Sequence, residues 1–257
     1  MIYPSINPVA LDLGFFKLYW YGLMYLLAFL SAYFLAKYRS KSIDNWSSKM
    51  TDDLIFYGAI GVVAGGRVGY MIFYNFSGLL SDPLSLFLIQ NGGMSFHGGF
   101  LGVLLAMHLF NRKYNRSFFS TMDFVAPFVP LGLLYGRIGN FVNGELWGKI
   151  TTSSWGMYIE EQGVSRYPSQ LYEAFLEGLV LFIVLWIFSS KPRPKMSISA
   201  MFLIFYGLFR FIIEFVRAPD AQIGYLAFDW LTMGQILSLP MILFGIYIFH
   251  KSNKGLA

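Results

Sequence analysis

The chain reads as an all-α polytopic membrane protein: a bundle of seven transmembrane helices, N-terminus outside, C-terminus cytoplasmic, with a small periplasmic cap. Three observations predict this. Of 257 residues, 56% are hydrophobic and only 13% charged, against roughly 25% charged in soluble domains. Seven segments are long and apolar enough to approach the ~20 residues that cross a bilayer. The lysines and arginines alternate between connecting loops as the positive-inside rule requires. The whole of 1–257 is therefore read as a single transmembrane domain, with 142–169 as a cap loop within it.

The expected spans lie near 18–37, 53–74, 95–111, 121–141, 170–189, 198–217 and 230–250. No basic stretch and cleavage site precede the first, so it is expected to remain as an anchor. Between the second and third, "DPLSLFLIQ" is too short to cross and is expected at the interface. Gly61, Gly65 and Gly69, Gly98 and Gly102, and Gly132 and Gly136 recur at four-residue spacing, which predicts close helix packing in the second, third and fourth spans. The cap stretch carries no clear helix or strand signal.

Orientation follows from charge. The first, third and fifth loops and the C-terminal tail hold Lys37, Arg39, Lys41, Lys49, Arg112, Lys113, Arg116, Lys191, Arg193, Lys195, Lys251 and Lys254; the opposite side holds Lys17, Lys149 and Arg166. The net charge of +5 is thus spread along the cytoplasmic face, which argues against nucleic acid as a partner. Cysteine is absent, which excludes disulfides, thiolate metal sites and a cysteine nucleophile of the chain's own.

Four arginines remain, Arg67, Arg137, Arg210 and Arg217, all inside predicted spans. An intramembrane charge costs about 2.5 to 3.5 kcal/mol on insertion scales, so each needs a partner or a purpose. At about 1.5 Å per residue, Arg67, Arg137 and Arg210 each lie roughly 18 to 22 Å above the cytoplasmic end, in the outer half. His97 and Tyr21 sit near the top of descending spans. Tyr206, Arg210 and Glu214 are four residues apart and share a helical face. Arg217, at its helix end, is expected to snorkel to the interface; His108 is expected to be bonded within the bundle; Glu173 and Glu177 are expected to be packing partners for arginines, Arg67 among them. The outer level then holds more arginine than carboxylate, and a guanidinium fork suits phosphate oxygens, which in that leaflet belong to lipid headgroups. A transporter would place its site nearer the midplane, on repeated or broken helices. An intramembrane peptidase would need a metal, aspartate or serine motif that is missing here.

The blocks "WYGLMYLLAF", "GGRVGY", "GGMSFHGGFLG", "GRIGNFVNGELWG", "YPSQLYE", "YGLFRFIIEFVRAPDAQ" and "MGQILSLPM" resemble, in order and over nearly the whole chain, those of the bacterial prolipoprotein diacylglyceryl transferases. The resemblance implies a multi-pass protein of the bacterial cytoplasmic membrane whose active site faces the outer leaflet. It implies transfer of the diacylglyceryl group of phosphatidylglycerol to the lipobox cysteine of a preprolipoprotein signal peptide. Glycerol phosphate is released, and no cofactor or metal is called for. It also implies roles: Arg137, Asn140, Gly144 and Glu145 in the signature block at the headgroup; His97 as base for the thiol; Tyr206, Arg210 and Glu214 in the sixth span, with Arg210 on the phosphate; Tyr21 as a functional tyrosine. Arg67, at the same level, joins the expected headgroup set. One departure is visible: relatives often place histidine where Tyr167 stands, which leaves His97 as the expected imidazole.

Overall fold

A computed structural model describes residues 1–15, 17–43, 46–88, 92–219 and 224–254. The chain is mostly helical. Its helices are α1 (Trp20–Ser40), α2 (Ser48–Phe73), α3 (Phe76–Ser81), α4 (Phe96–Tyr114), α5 (Phe118–Val125), α6 (Val129–Val142), α7 (Ser169–Phe188), α8 (Ser197–Ile213) and α9 (Met233–Asn253). Each of the seven expected spans meets one of these helices or a pair of them. Four, α1, α2, α7 and α9, are by themselves long and apolar enough to cross a membrane, and α5 with α6 makes a fifth if counted together.

That fourth segment departs from the expected continuous helix, because α5 and α6 are bent by 48° at residues 126–128. Pro127 is the cause. It lacks an N–H for the ladder and disfavours helical backbone in the residue before it, while Pro130 suits the first turn of α6.

The surface is inverted relative to a soluble protein. Phe34, Phe100, Leu243 and many other large apolar side chains are exposed, whereas Thr51, Gln170, Glu173, Glu177 and Gln235 are completely buried. Only a hydrocarbon solvent makes that distribution favourable.

The chain forms two compact units, Met1–Ala32 with Met122–Ala257, and Tyr33–Thr121. In the second, α2 and α4 lie backbone to backbone. A Cβ added to Gly65 would sit 2.7 Å from Gly102 Cα and closer still to the Gly98 carbonyl; one on Gly61 would sit 2.7 Å from the Gly102 carbonyl. The expected small-residue seam is therefore present for Gly61, Gly65, Gly69, Gly98 and Gly102. Ser95 caps α4 by accepting from Gly98 N at 3.2 Å, and its own N–H reaches Gly66 O at 2.9 Å. The start of "DPLSLFLIQ" forms a single 3₁₀ turn, Pro83–Phe87, with Leu84 and Phe87 exposed; its last residues, Ile89 and Gln90, lie outside the described residues. His108 is exposed on α4 and is not enclosed in the bundle.

In the first unit, Ala126, Leu181, Leu185 and Ile198 form a core with Phe188, Met201, Phe205 and Phe209 around it. Asp123 caps α8 by accepting from Ser199 N at 2.8 Å and Met196 N at 2.6 Å. Gly178 of α7 packs against Leu134 of α6, and Gly207 and Gly245 bring α8 and α9 together. Gly132 and Gly136 do not make the expected close contact, since a Cβ at either would meet nothing within 4 Å. The cap also differs from expectation. It carries an antiparallel hairpin, β3 (Met157–Ile159) and β4 (Val164–Arg166), closed by a 3₁₀ turn and Gly163 at φ +66°, while β1 (Val9–Asp12) and β2 (Lys17–Tyr19) form a second hairpin before α1. Strands of three or four residues are too short for period-two alternation to show.

The seam predicts an asymmetry between glycines. Gly65→Val is expected to cost several kcal/mol, the cost of forcing bulk between packed backbones, and Gly132→Ala to be near neutral. Thermal unfolding in detergent compares them.

Candidate active site

The site is built in the first unit by α6, the loop after it, α7 and the end of α8. Arg137 and Asn140 are three residues apart on α6 and so project from one face. Arg210 and Glu214 lie four apart at the end of α8, with Arg217 one turn beyond. Glu173 and Glu177 lie four apart on α7, where residues Ala174–Val180 form a π-helical turn. Such turns change the angular spacing of side chains and occur often at functional sites.

These residues meet at one carboxylate. Glu173, fully buried, receives Arg137 Nη2 at 2.8 Å, Arg210 Nη1 at 3.1 Å, and Arg217 Nη1 at 3.1 Å from each oxygen. Arg210 is shared further, its Nη2 lying 2.5 Å from Glu214 Oε1 and its Nη1 3.7 Å from Glu177 Oε1. Glu214 is held in turn by Thr232 Oγ1, which donates to Oε2 at 2.7 Å, and Thr232 is fixed by the capping box it forms with Gln235 at the start of α9. The three guanidinium side chains keep 14 to 19% of their surface exposed, although the acids beneath them are buried. A low-dielectric layer of carboxylates thus aims arginines at a more open level above it.

On the other side of Arg137, its Nη1 donates to Asn140 Oδ1 at 3.4 Å, and Asn140 Nδ2 donates to Glu145 Oε1 at 2.8 Å. The loop that places Glu145 needs special backbone. Gly144 has φ +67° beside the Tyr3 hydroxyl, and Leu146 has φ +59°, a conformation uncommon for a non-glycine residue. The Tyr21 ring of α1 lies close to Gly139, where a Cβ would stand 2.9 Å from it, and Tyr206 stacks on Phe202 with centroids 5.6 Å apart.

Several expectations change. Arg217 does not snorkel free of the site; Glu173 holds it. Arg137 has a carboxylate partner distant in sequence. Arginine is not in excess, because Arg137, Arg210 and Arg217 face Glu173, Glu177 and Glu214. Arg67, in the second unit, is 5% exposed and donates to the backbone carbonyls of Ser85 at 2.6 Å, Leu86 at 3.1 Å, Gly93 at 3.3 Å and, closer, Gly92. It clamps the chain between α2 and α4, so its partners are backbone carbonyls of its own unit and not the carboxylate expected. His97, also in that unit, is exposed in the first turn of α4, with its ring edge-on to Phe96. Glu173 and Glu177 are arginine partners as expected, but Glu173 gathers three of them at once, a role whose signal in the sequence is two acids four residues apart inside an apolar span.

The model of the prolipoprotein diacylglyceryl transferase family matches residues 8–251. A phosphatidylglycerol--prolipoprotein diacylglyceryl transferase of Methylococcus capsulatus is 57% identical over 251 residues, 96% of each chain. Proteins of the same name from Acinetobacter baylyi and Acinetobacter baumannii are 55% and 54% identical over 253 residues, covering 96% of this chain and 93% of theirs. With the arginine cluster falling inside a match of that extent, the chain belongs to the prolipoprotein diacylglyceryl transferase family.

Proposed function

We propose that the chain transfers the diacylglyceryl group of phosphatidylglycerol to the lipobox cysteine thiol of a preprolipoprotein, the first step of bacterial lipoprotein maturation. The reading takes 1–257 as one domain of the bacterial cytoplasmic membrane that crosses it seven times, N-terminus outside and C-terminus inside, with the site towards the outer leaflet.

The observation that carries it is the convergence of Arg137, Arg210 and Arg217 on Glu173. Three guanidiniums around one buried anion form a preorganised anion site, and each has more N–H donors than these contacts use. A lipid phosphate engages the exposed sides of Arg137 and Arg210, while Glu173 keeps them from flaring apart. Asn140, Gly144 and Glu145 present the signature loop to the headgroup, and Tyr21 and Tyr206 close the site with Glu214 behind Arg210.

The thiol sulfur attacks the glycerol carbon that bears the phosphate. A carbon–sulfur bond forms, the carbon–oxygen bond breaks, and its electron pair leaves on the phosphate oxygen. The arginines hold the charge that grows there. The thiol proton passes to a base, a role given to His97 on its match to the family histidine and its exposure. Bonds made and broken balance without a cofactor. Arg67 enters this reading through its structural clamp on the chain that leads to α4.

Reconstituted protein with radiolabelled phosphatidylglycerol and a lipobox peptide tests the reading, and absence of labelled peptide overturns it. In that assay Arg210→Lys is expected to lose about a hundredfold. A lysine keeps the charge, but it cannot bridge Glu173 and Glu214 while presenting a planar fork to phosphate.

A further inference from the structure

A cleft of about 320 Å³ opens at the C-terminal end of α6, entirely within the first unit. The surface it exposes is more polar than apolar, with apolar side chains behind it. Trp147 and Ile159 are buried there and Tyr3 half-buried, and the floor's own polar atoms are used internally: Trp147 Nε1 donates to Gly144 O at 2.9 Å, and the Tyr3 hydroxyl donates to Phe141 O at 2.9 Å and Val142 O at 3.1 Å. Its rim is polar and exposed, with the amides of Asn7 and Asn143 and the carboxylate of Glu161. Among its lining residues the charged side chain is Glu161, and Arg166 behind the wall is held by Gln162, its Nε donating to Gln162 Oε1 at 2.7 Å. Amide groups, which donate and accept, in front of buried apolar side chains suit an extended polypeptide.

The cleft is wired to the arginine cluster. Asn143 Nδ2 lies 3.3 Å from the same Glu145 oxygen that accepts from Asn140, and Asn140 accepts from Arg137. Asn143, the C-cap of α6, lies six positions beyond Arg137, about 9 Å along the helix axis. An extended chain at about 3.3 Å per residue covers that in roughly three residues. A backbone conformation with φ +42° at Ser5, also in the wall, sets the rim's shape.

We propose that this cleft holds, as an extended strand, the roughly three residues that follow the substrate cysteine, with Glu161 favouring a basic side chain at the far end. The proposal rests on the activity read above. It is tested with full-length protein in vesicles containing phosphatidylglycerol, using lipobox peptides with lysine or aspartate three residues after the cysteine. The wild type is expected to prefer the lysine peptide about fivefold in kcat/KM, the scale of an exposed charge pair. Glu161→Lys is expected to reverse that order while KM for phosphatidylglycerol stays within about twofold; Glu161 is exposed, so the fold is not at risk. The same preference in both proteins, or a matching change in KM for the lipid, overturns the cleft assignment. No transfer to either peptide by the wild type overturns the activity instead.

Discussion

Arg137→Ala is expected to lower diacylglyceryl transfer by at least about a thousandfold while the protein still inserts and binds peptide. Arg137 is the residue at which two networks meet, the carboxylate hub through Glu173 and the headgroup loop through Asn140 and Glu145. Its loss removes a donor aimed at the leaving phosphate; a single preorganised donor of this kind is worth about 10² to 10³ in rate. It also frees Asn140 Oδ1, which loosens the orientation of the Asn140 amide that holds the Glu145 carboxylate, while the backbone bond from Glu145 N to Asn140 O at 3.0 Å keeps the loop on α6. Misplacement by about 1 Å costs a further factor of about 10². Stability should change less, because Arg210 and Arg217 still neutralise Glu173. Label transfer and thermal unfolding are measured on the same preparation. A variant within tenfold of wild-type activity would remove Arg137 from the phosphate site.

The second large effect is on stability. Glu173→Gln leaves three guanidiniums facing two carboxylates, Glu177 and Glu214, instead of three. Removing one partner from a buried charge network costs about 3 to 5 kcal/mol, since the remaining charges cannot return to water. The expected result is a large drop in unfolding temperature in detergent with activity lost at the same time. Arg217→Gln added to Glu173→Gln should recover part of the stability by restoring the charge balance, and it should not restore transfer. If the double variant is no more stable than the single one, side-chain packing and not charge governs the hub, and the preorganised anion site loses its foundation.

Much of the molecule was legible from local sequence. Hydropathy placed a helix in each expected segment, because the ~20-residue apolar run is a one-dimensional signal that any bilayer-spanning helix must carry. The glycine seam of Gly61, Gly65 and Gly69 with Gly98 and Gly102 was legible for the same reason, as close approach demands small residues at helical spacing. Gly132 and Gly136 have identical spacing and no neighbour, so spacing states that a face is smooth and not what covers it. Arg67 and Arg137 show the same limit. Each follows a glycine in an apolar run, yet one grips backbone carbonyls and the other a carboxylate and a loop.

Composition and neighbours a few residues apart suffice for the membrane class, the helical segments, the family blocks, and the adjacency of Arg137, Asn140 and Glu145. Packing in three dimensions adds that Glu173 gathers three arginines, that Arg217 joins them, and that the fourth segment bends at Pro127. It also places a cleft beyond α6. The physical reason is rotational phase. Which face of α7 meets α6 and α8 depends on the packing of Gly178 against Leu134 and on the π-helical turn around Glu177, and neither is written in a hydropathy window.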